Sequence, residues 1–184
     1  MVESIFNLDR RLYLLLHGRL RAPLVDPIMV GATRAGTKGI LWLALAAGLF
    51  IDGRPHPRFA AIVSIAALLA AEGLINLLLK PLIRRERPFA QSGVTSLLVN
   101  APGPHSWPSA HAGSSMAAAI VLTAAYPLWG FAFLPAALLV GYSRVYVGVH
   151  YPLDIVSGIV VGLLAGGAAV GVAYLLASAG LPTL

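Results

Sequence analysis

The chain has 184 residues, 58% of them hydrophobic and 11% charged, with a formal net charge of +6 and a mean hydropathy of +0.82. That is the length of one domain and far too apolar for an ordinary soluble fold, so the bilayer is its expected solvent. The absence of cysteine excludes disulfides and thiolate metal sites. The basic residues, scattered among apolar runs with no interleaved aromatics and no recognisable module, exclude nucleic acid as a partner and point to an anionic lipid surface or substrate.

In chain order, residues 1–22 carry Ile5, Leu8, Leu12, Leu15 and Leu16 at helical spacing, with Asn7, Arg10 and Arg11 elsewhere. This predicts an amphipathic interfacial helix, lying on the membrane or packed against its own protein. No long apolar core or small-residue cleavage site marks a signal peptide, so the segment is expected to be retained. A first crossing is expected over 39–51, extended back to about Thr33 with Arg34 and Lys38 snorkelling. A polar turn, DGRPHPR, follows at 52–58. The second span covers 59–79, interrupted only by Glu72 and Asn76, and runs into KPLIRRERP. After a Gly, Pro and Ser-rich loop at 89–107, the third span starts near Pro108 and ends around Tyr126 and Pro127. The fourth covers about 131–147 and the fifth Pro152 to about Ser178, where Gly158, Gly162 and Gly166 form a smooth stripe suited to close helix contact. The expected fold is all-α, a polytopic transmembrane helix bundle of about five spanning helices plus the interfacial helix, forming a single domain over 1–184.

Parity brings the polar clusters together. KPLIRRERP closes the second span, WPSAH opens the third, and SRVYVGVHYPLD joins the fourth to the fifth, so all of them fall on one membrane face. In the first cluster, Lys80 and Arg87 read either as a juxtamembrane polybasic stop or as a pair of cations around a phosphate. Glu72, Asn76 and Lys80 follow at spacing four and are expected to form a buried polar line holding the lysine. In the second, Pro108-Ser109-Ala110-His111 has the chemistry of a helix start, where a capping serine and free amides attract an anion. In the third, Gly148 loosens the chain between Arg144 and His150. Tyr151-Pro152 then begins a helix whose first turn lets Asp154 reach back to the imidazole. A carboxylate on one ring nitrogen leaves the other free to attack; the same pair also suits a metal ligand with its partner, or a plain ion pair. The abundance of cations and scarcity of further carboxylates weigh against a metal.

These residues resemble the type 2 phosphatidic acid phosphatase superfamily, whose signature is K-x6-RP, PSGH and SR-x5-H-x3-D. Here it reads Lys80 to Arg87-Pro88, Pro108-Ser109-Ala110-His111, and Ser143-Arg144 to His150 and Asp154. The resemblance covers roughly 24–178. It departs from the family in Ala110, where glycine is usual, and in the first of the common six helices, which the surface helix replaces.

The resemblance implies a hydrolase of phosphate monoesters or pyrophosphates on membrane lipids that needs no metal or other cofactor. It implies that His150 attacks phosphorus to give a phosphohistidine, Asp154 supports it, and His111 protonates the leaving oxygen and then activates water. Lys80, Arg87, Ser109 and Arg144 would hold the phosphoryl oxygens, with Glu72, Asn76, Ser143 and Trp107 supporting. Polyprenyl pyrophosphate, phosphatidylglycerol phosphate, phosphatidic acid, a lipid A phosphate and a phosphoribosyl polyprenol all fit as substrates, with oligomeric state left open. The 89–107 loop, with Phe89, Leu97, Leu98 and Trp107, is the expected place for headgroup selection or a lid. Two other readings of the anion site are a non-catalytic lipid-phosphate or anion transporter and a soluble vanadium-dependent peroxidase. The intact His111, His150 and Asp154 weigh against the first and the membrane composition against the second. An integral protein of the bacterial plasma membrane is expected. Arg10, Arg11, Arg19, Arg21, Arg34, Lys38, Arg84 and Arg85 on the site face outnumber Arg54 and Arg58 opposite, which points that face to the cytoplasm, whereas the resemblance implies the outer face of the plasma membrane, where many bacterial members work.

Overall fold

The computed structural model of the chain describes residues 2–19, 21–92, 97–180 and 184, without the side chains of 2–5, 18, 19 and 92. Nine α-helical segments run through the described residues: α1 Val2–Leu14, α2 Asp26–Gly36, α3 Ile40–Asp52, α4 Pro55–Gly73, α5 Lys80–Ile83, α6 Pro88–Ser92, α7 Ala110–Ala125, α8 Gly130–Tyr146 and α9 Pro152–Ser178. Extended pairing among the described residues is limited to an isolated bridge between Glu86 and His105. The all-α bundle read from the sequence is therefore the fold. Four helical stretches are long and apolar enough to cross a membrane: Asp26–Asp52, Pro55–Ile83, Pro127–Tyr146 and Pro152–Ser178.

The third expected span is α7, and it differs in kind from those four. Its 16 residues give a rise of roughly 24 Å, short of the ~30 Å hydrocarbon core. Yet twelve of its residues are buried, because α4, α8 and α9 pack around it. A helix sheathed in protein has no need to match the lipid thickness. Small residues make the sheath close: a Cβ added at Gly158, Gly162 or Gly166 of α9 would run into the carbonyl oxygens of Ser109, Gly113 and Ala117 of α7. The glycine stripe is thus the contact surface its spacing predicts.

Three boundaries differ from the sequence reading. The first crossing starts at Asp26, not near Thr33, because Pro27 sits in its first turn. It also bends at Thr37–Gly39, where Lys38 (φ 51°) and Gly39 (φ 68°) take left-handed conformations. Pro55 and Pro57, placed by the sequence reading in a turn, open α4 instead. Between α4 and α5, residues Leu74–Leu79 wind as a π-helix.

Helix α1, continued as a π-helix through Leu15–Arg19, lies across the site face with an unexpected side inward. Asp9, Tyr13 and His17, at spacing four, are buried, while Leu8, Leu12 and Leu15 are exposed. The side chain of Ile5, part of the expected apolar stripe, lies outside the described residues. Outward leucines suit the bilayer surface, and the inward row bonds to the protein: His17 Nδ1 lies 2.8 Å from the carbonyl oxygen of Tyr146. Of the two alternatives for this segment, the packed helix holds for the inward face, and the exposed leucines are the face that the surface-helix alternative assigns to the bilayer.

Candidate active site

The three clusters meet at the ends of α4–α5, α7, α8 and α9. Lys80, Arg87, His111, Arg144 and His150 wall one cavity of about 370 Å³, with Glu72, Asn76 and Ala110 also on its surface. Lys80 Nζ donates to Asn76 Oδ1 at 2.8 Å, so the expected polar line exists. It lines the cavity instead of being buried: Asn76 is exposed, and Glu72 and Lys80 are half-buried. Asn76 lies in the π-helical stretch Leu74–Leu79 that leads into Lys80.

His150 follows Gly148, whose φ of 90° turns the chain out of α8. Its Nδ1 lies 3.3 Å from Asp154 Oδ2, which also accepts from the Tyr151 N–H at 2.9 Å. Its Nε2 faces Arg87 Nη1 at 3.2 Å. Burial pushes the His150 pKa well below its ordinary value, and the nearby charges of Arg87, Arg144 and Lys80 push it the same way. Arg87 is itself 3% exposed. Its Nε donates to the Gly103 carbonyl at 2.5 Å and its Nη1 to that of Val149 at 2.7 Å. Burial lowers its pKa to about 10, partly opposed by Asp154, which leaves it cationic at neutral pH.

Arg144 donates from Nη1 to Thr33 Oγ1 at 2.5 Å, while its Nε and the Nε2 of His111 are buried without a hydrogen-bond partner. Such groups are costly unless something arrives to satisfy them, and both residues line the cavity. Ser109 caps α7, its Oγ accepting from the Ala112 N–H at 3.5 Å. Its own N–H donates to the Asp154 carbonyl. It is fully buried, behind Ala110, the first residue of α7 on the wall. Ser143 Oγ donates to the Val140 carbonyl at 2.6 Å inside α8, and Trp107 is half-buried; neither lines the cavity. Phe89, Leu97 and Leu98 pack against Met29, Tyr146, Val147 and Val149. Residues 93–96 of the expected lid lie outside the described residues.

A second cavity, of about 510 Å³, shares His111, Arg144 and Pro102 with the first and is walled further by Thr33, Arg34, Thr37 and Leu97–Asn100. His111 thus stands between two lobes, with the His150 ring on one side only.

Sequence reasoning missed Arg85 and Asp9. Arg85 donates from Nη1 to Asp154 Oδ1 at 2.8 Å and from Nη2 to Asp9 Oδ2 at 2.5 Å, with its guanidinium 4.0 Å from the Tyr151 ring centroid. Burial pushes the Asp9 carboxyl pKa up, against the opposing hold of the Leu153 N–H and Arg85. The available signal was the polar row Asp9, Tyr13, His17 opposite the leucines. Among the described residues no three His, Asp or Glu side chains group as a metal site needs.

The model of the PAP2 superfamily matches residues 61–176, the stretch that carries all three clusters. The chain belongs to the PAP2 superfamily. Among PAP2 relatives, it is 32% identical over 144 residues to undecaprenyl-diphosphatase BcrC of Bacillus subtilis, covering 77% of this chain and 72% of that one. It is 36% identical over 138 residues to decaprenylphosphoryl-5-phosphoribose phosphatase of Mycobacterium tuberculosis, covering 74% and 73%. Its fold is similar to the crystal structure of Aquifex aeolicus LpxE, with a TM-score of 0.71 and 25% identity over 88% of this chain and 93% of that one. With these PAP2 relatives and its apolar helices, the chain is an integral membrane protein and a phosphoric ester hydrolase.

Proposed function

We propose that the protein removes the terminal phosphate from a polyprenyl diphosphate through a phosphohistidine on His150. The observation that carries this reading is the His150 ring. One of its nitrogens rests on Asp154, and the other lies 3.2 Å from Arg87 Nη1, at a cavity that His150 lines together with Lys80, Arg87 and Arg144. Three cations around a neutral imidazole suit a phosphoryl group whose charge redistributes in transfer. The His150 Nε2–P bond forms as the P–O bond to the leaving group breaks, and the leaving oxygen takes its proton from His111. A phosphate beside His111 favours that protonated form. Water then gives its proton back to His111 and cleaves the N–P bond, releasing inorganic phosphate.

The diphosphate preference rests on the second lobe. In an in-line transfer the leaving group departs on the side away from the nucleophile. That side lies past His111, in the lobe walled by Arg34. A guanidinium there favours a leaving group that is itself a phosphate over a neutral alcohol. The names of the two polyprenyl-phosphate relatives support the lipid class. The basic residues that remain on the site face once Arg34 and Arg85 are given to the site, among them Arg10, Arg11, Arg21, Lys38 and Arg84, still outnumber Arg54 and Arg58. This supports a cytoplasmic site.

The test is phosphate release by purified protein in detergent, with EDTA present, from farnesyl diphosphate, farnesyl monophosphate and phosphatidic acid. Release should proceed, orthovanadate should inhibit it, and His150→Ala should lose about a thousandfold or more. An active His150→Ala variant, or activity that vanishes on chelation and returns with magnesium, overturns the reading.

A further inference from the structure

Asp9 lies on the helix that the fold lays across the site face, yet it is only 1% exposed. A carboxylate tolerates burial when its oxygens are taken, and both are. Oδ2 accepts from Arg85 Nη2, and Oδ1 accepts from the Leu153 N–H at 2.9 Å. The second bond does the work of a helix cap. Tyr151, at the N-cap position of α9, lacks the short side-chain oxygen that Ser, Thr, Asp or Asn brings there. Pro152 has no N–H, so the Leu153 amide is the first free donor of that helix. Asp9 satisfies it from 144 positions away.

The first bond reaches the chemistry. Arg85 lies between two carboxylates, one hydrogen bond to Asp9 and one to Asp154 Oδ1, its plane held over the Tyr151 ring. The other oxygen of Asp154 faces His150. A planar guanidinium fixed at both ends fixes the carboxylate it holds. Without Asp9, Arg85 has one carboxylate left and draws Asp154 toward itself, away from the imidazole, while the first turn of α9 loses its cap.

We infer that Asp9 is a positioning residue for the His150–Asp154 pair, acting through Arg85 and the Leu153 amide, so that the seating of α1 sets the rate of phosphoryl transfer. The inference rests on His150 being the nucleophile. It ties the N-terminal helix to the reaction.

The experiment uses the full chain in detergent with farnesyl diphosphate as probe and compares Asp9→Asn, Arg85→Gln and the double variant. Asp9→Asn keeps the shape and removes the charge. Its kcat should fall about tenfold or more with KM within about threefold of wild type, and its melting midpoint should show that it folds. The double variant should be no slower than Arg85→Gln alone, since an asparagine oxygen still caps the Leu153 amide and both substitutions break the same chain through Arg85. A wild-type kcat in Asp9→Asn, a change confined to KM, or losses that multiply in the double variant would each overturn the inference. An active His150→Ala variant would instead overturn the reading beneath it, so the two failures are distinct.

Discussion

Arg87 Nη1 lies 3.2 Å from His150 Nε2. Arginine has no acceptor, so the contact is a hydrogen bond only if Nε2 carries a lone pair and the ring hydrogen sits on Nδ1, toward Asp154. In the free protein, then, the nitrogen that would attack phosphorus is engaged by the guanidinium. On the proposed mechanism an arriving phosphoryl oxygen would accept that same N–H and uncover Nε2, so that binding and activation of the nucleophile would be one event.

The depressed pKa of His150 has a sign that can be checked. The unfolded chain binds a proton at this ring near pH 6.5, and the folded protein binds it only at lower pH. Stability from this group is therefore full above about 6.5 and is lost as the pH falls below that value toward the folded pKa. The melting midpoint in detergent should drop between pH 7 and pH 5, and His150→Gln should flatten that slope. An unchanged slope in the variant would mean that other groups govern the acid limb.

Arg34 lines the second lobe and not the first, so it tests the diphosphate reading. Arg34→Gln should lower kcat/KM for farnesyl diphosphate about tenfold or more while changing it less than about threefold for farnesyl monophosphate, whose leaving group is an uncharged alcohol. Equal losses on both substrates would assign the second lobe to something other than a phosphate leaving group.

Packing between α7 and α9 predicts an intolerant position. A methyl group at Gly162 meets the Gly113 carbonyl and the Ala117 amide, backbone atoms that cannot swing away. Gly162→Ala should cost about 1–3 kcal/mol, read as a lowered unfolding midpoint in detergent. Gly171→Ala, where nothing lies within 4 Å, should leave the midpoint unchanged or raise it.

Facing is open to direct labelling, because the chain has no cysteine of its own. With a cytoplasmic site, a membrane-impermeant thiol reagent applied to intact spheroplasts should label Ser178→Cys and spare Ala101→Cys. The reverse pattern puts the site on the outer side.

The legibility of the site in the sequence follows from where each contact lives. Lys80, Arg87, His111, Arg144, His150 and Asp154 were readable because their chemistry needs fixed residue types at short spacings, and parity alone carries the clusters to one face. Asp154 reaches His150 across a single turn. Asp9 and Arg85 are partners across 76 positions, and no local pattern encodes a pairing that only the packed fold creates. The bend at Lys38 was hidden for a related reason. Lysine has no preference for a left-handed backbone, and Gly39 beside it lies against Leu68, so tertiary packing selects the conformation. The start of α2 was the readable miss, since Asp26-Pro27 is an ordinary helix opening.

The bond from Asp9 to Leu153 also has a meaning for synthesis. At roughly 5–20 residues per second, Asp9 leaves the ribosome some 7–30 seconds before the amide it caps. Throughout that interval the nascent chain has its cations and His111 in place or on the way, but no His150. On the proposed mechanism a partly made chain lacks its nucleophile, and activity would begin only once the last helix has been made and Asp9 has closed on it.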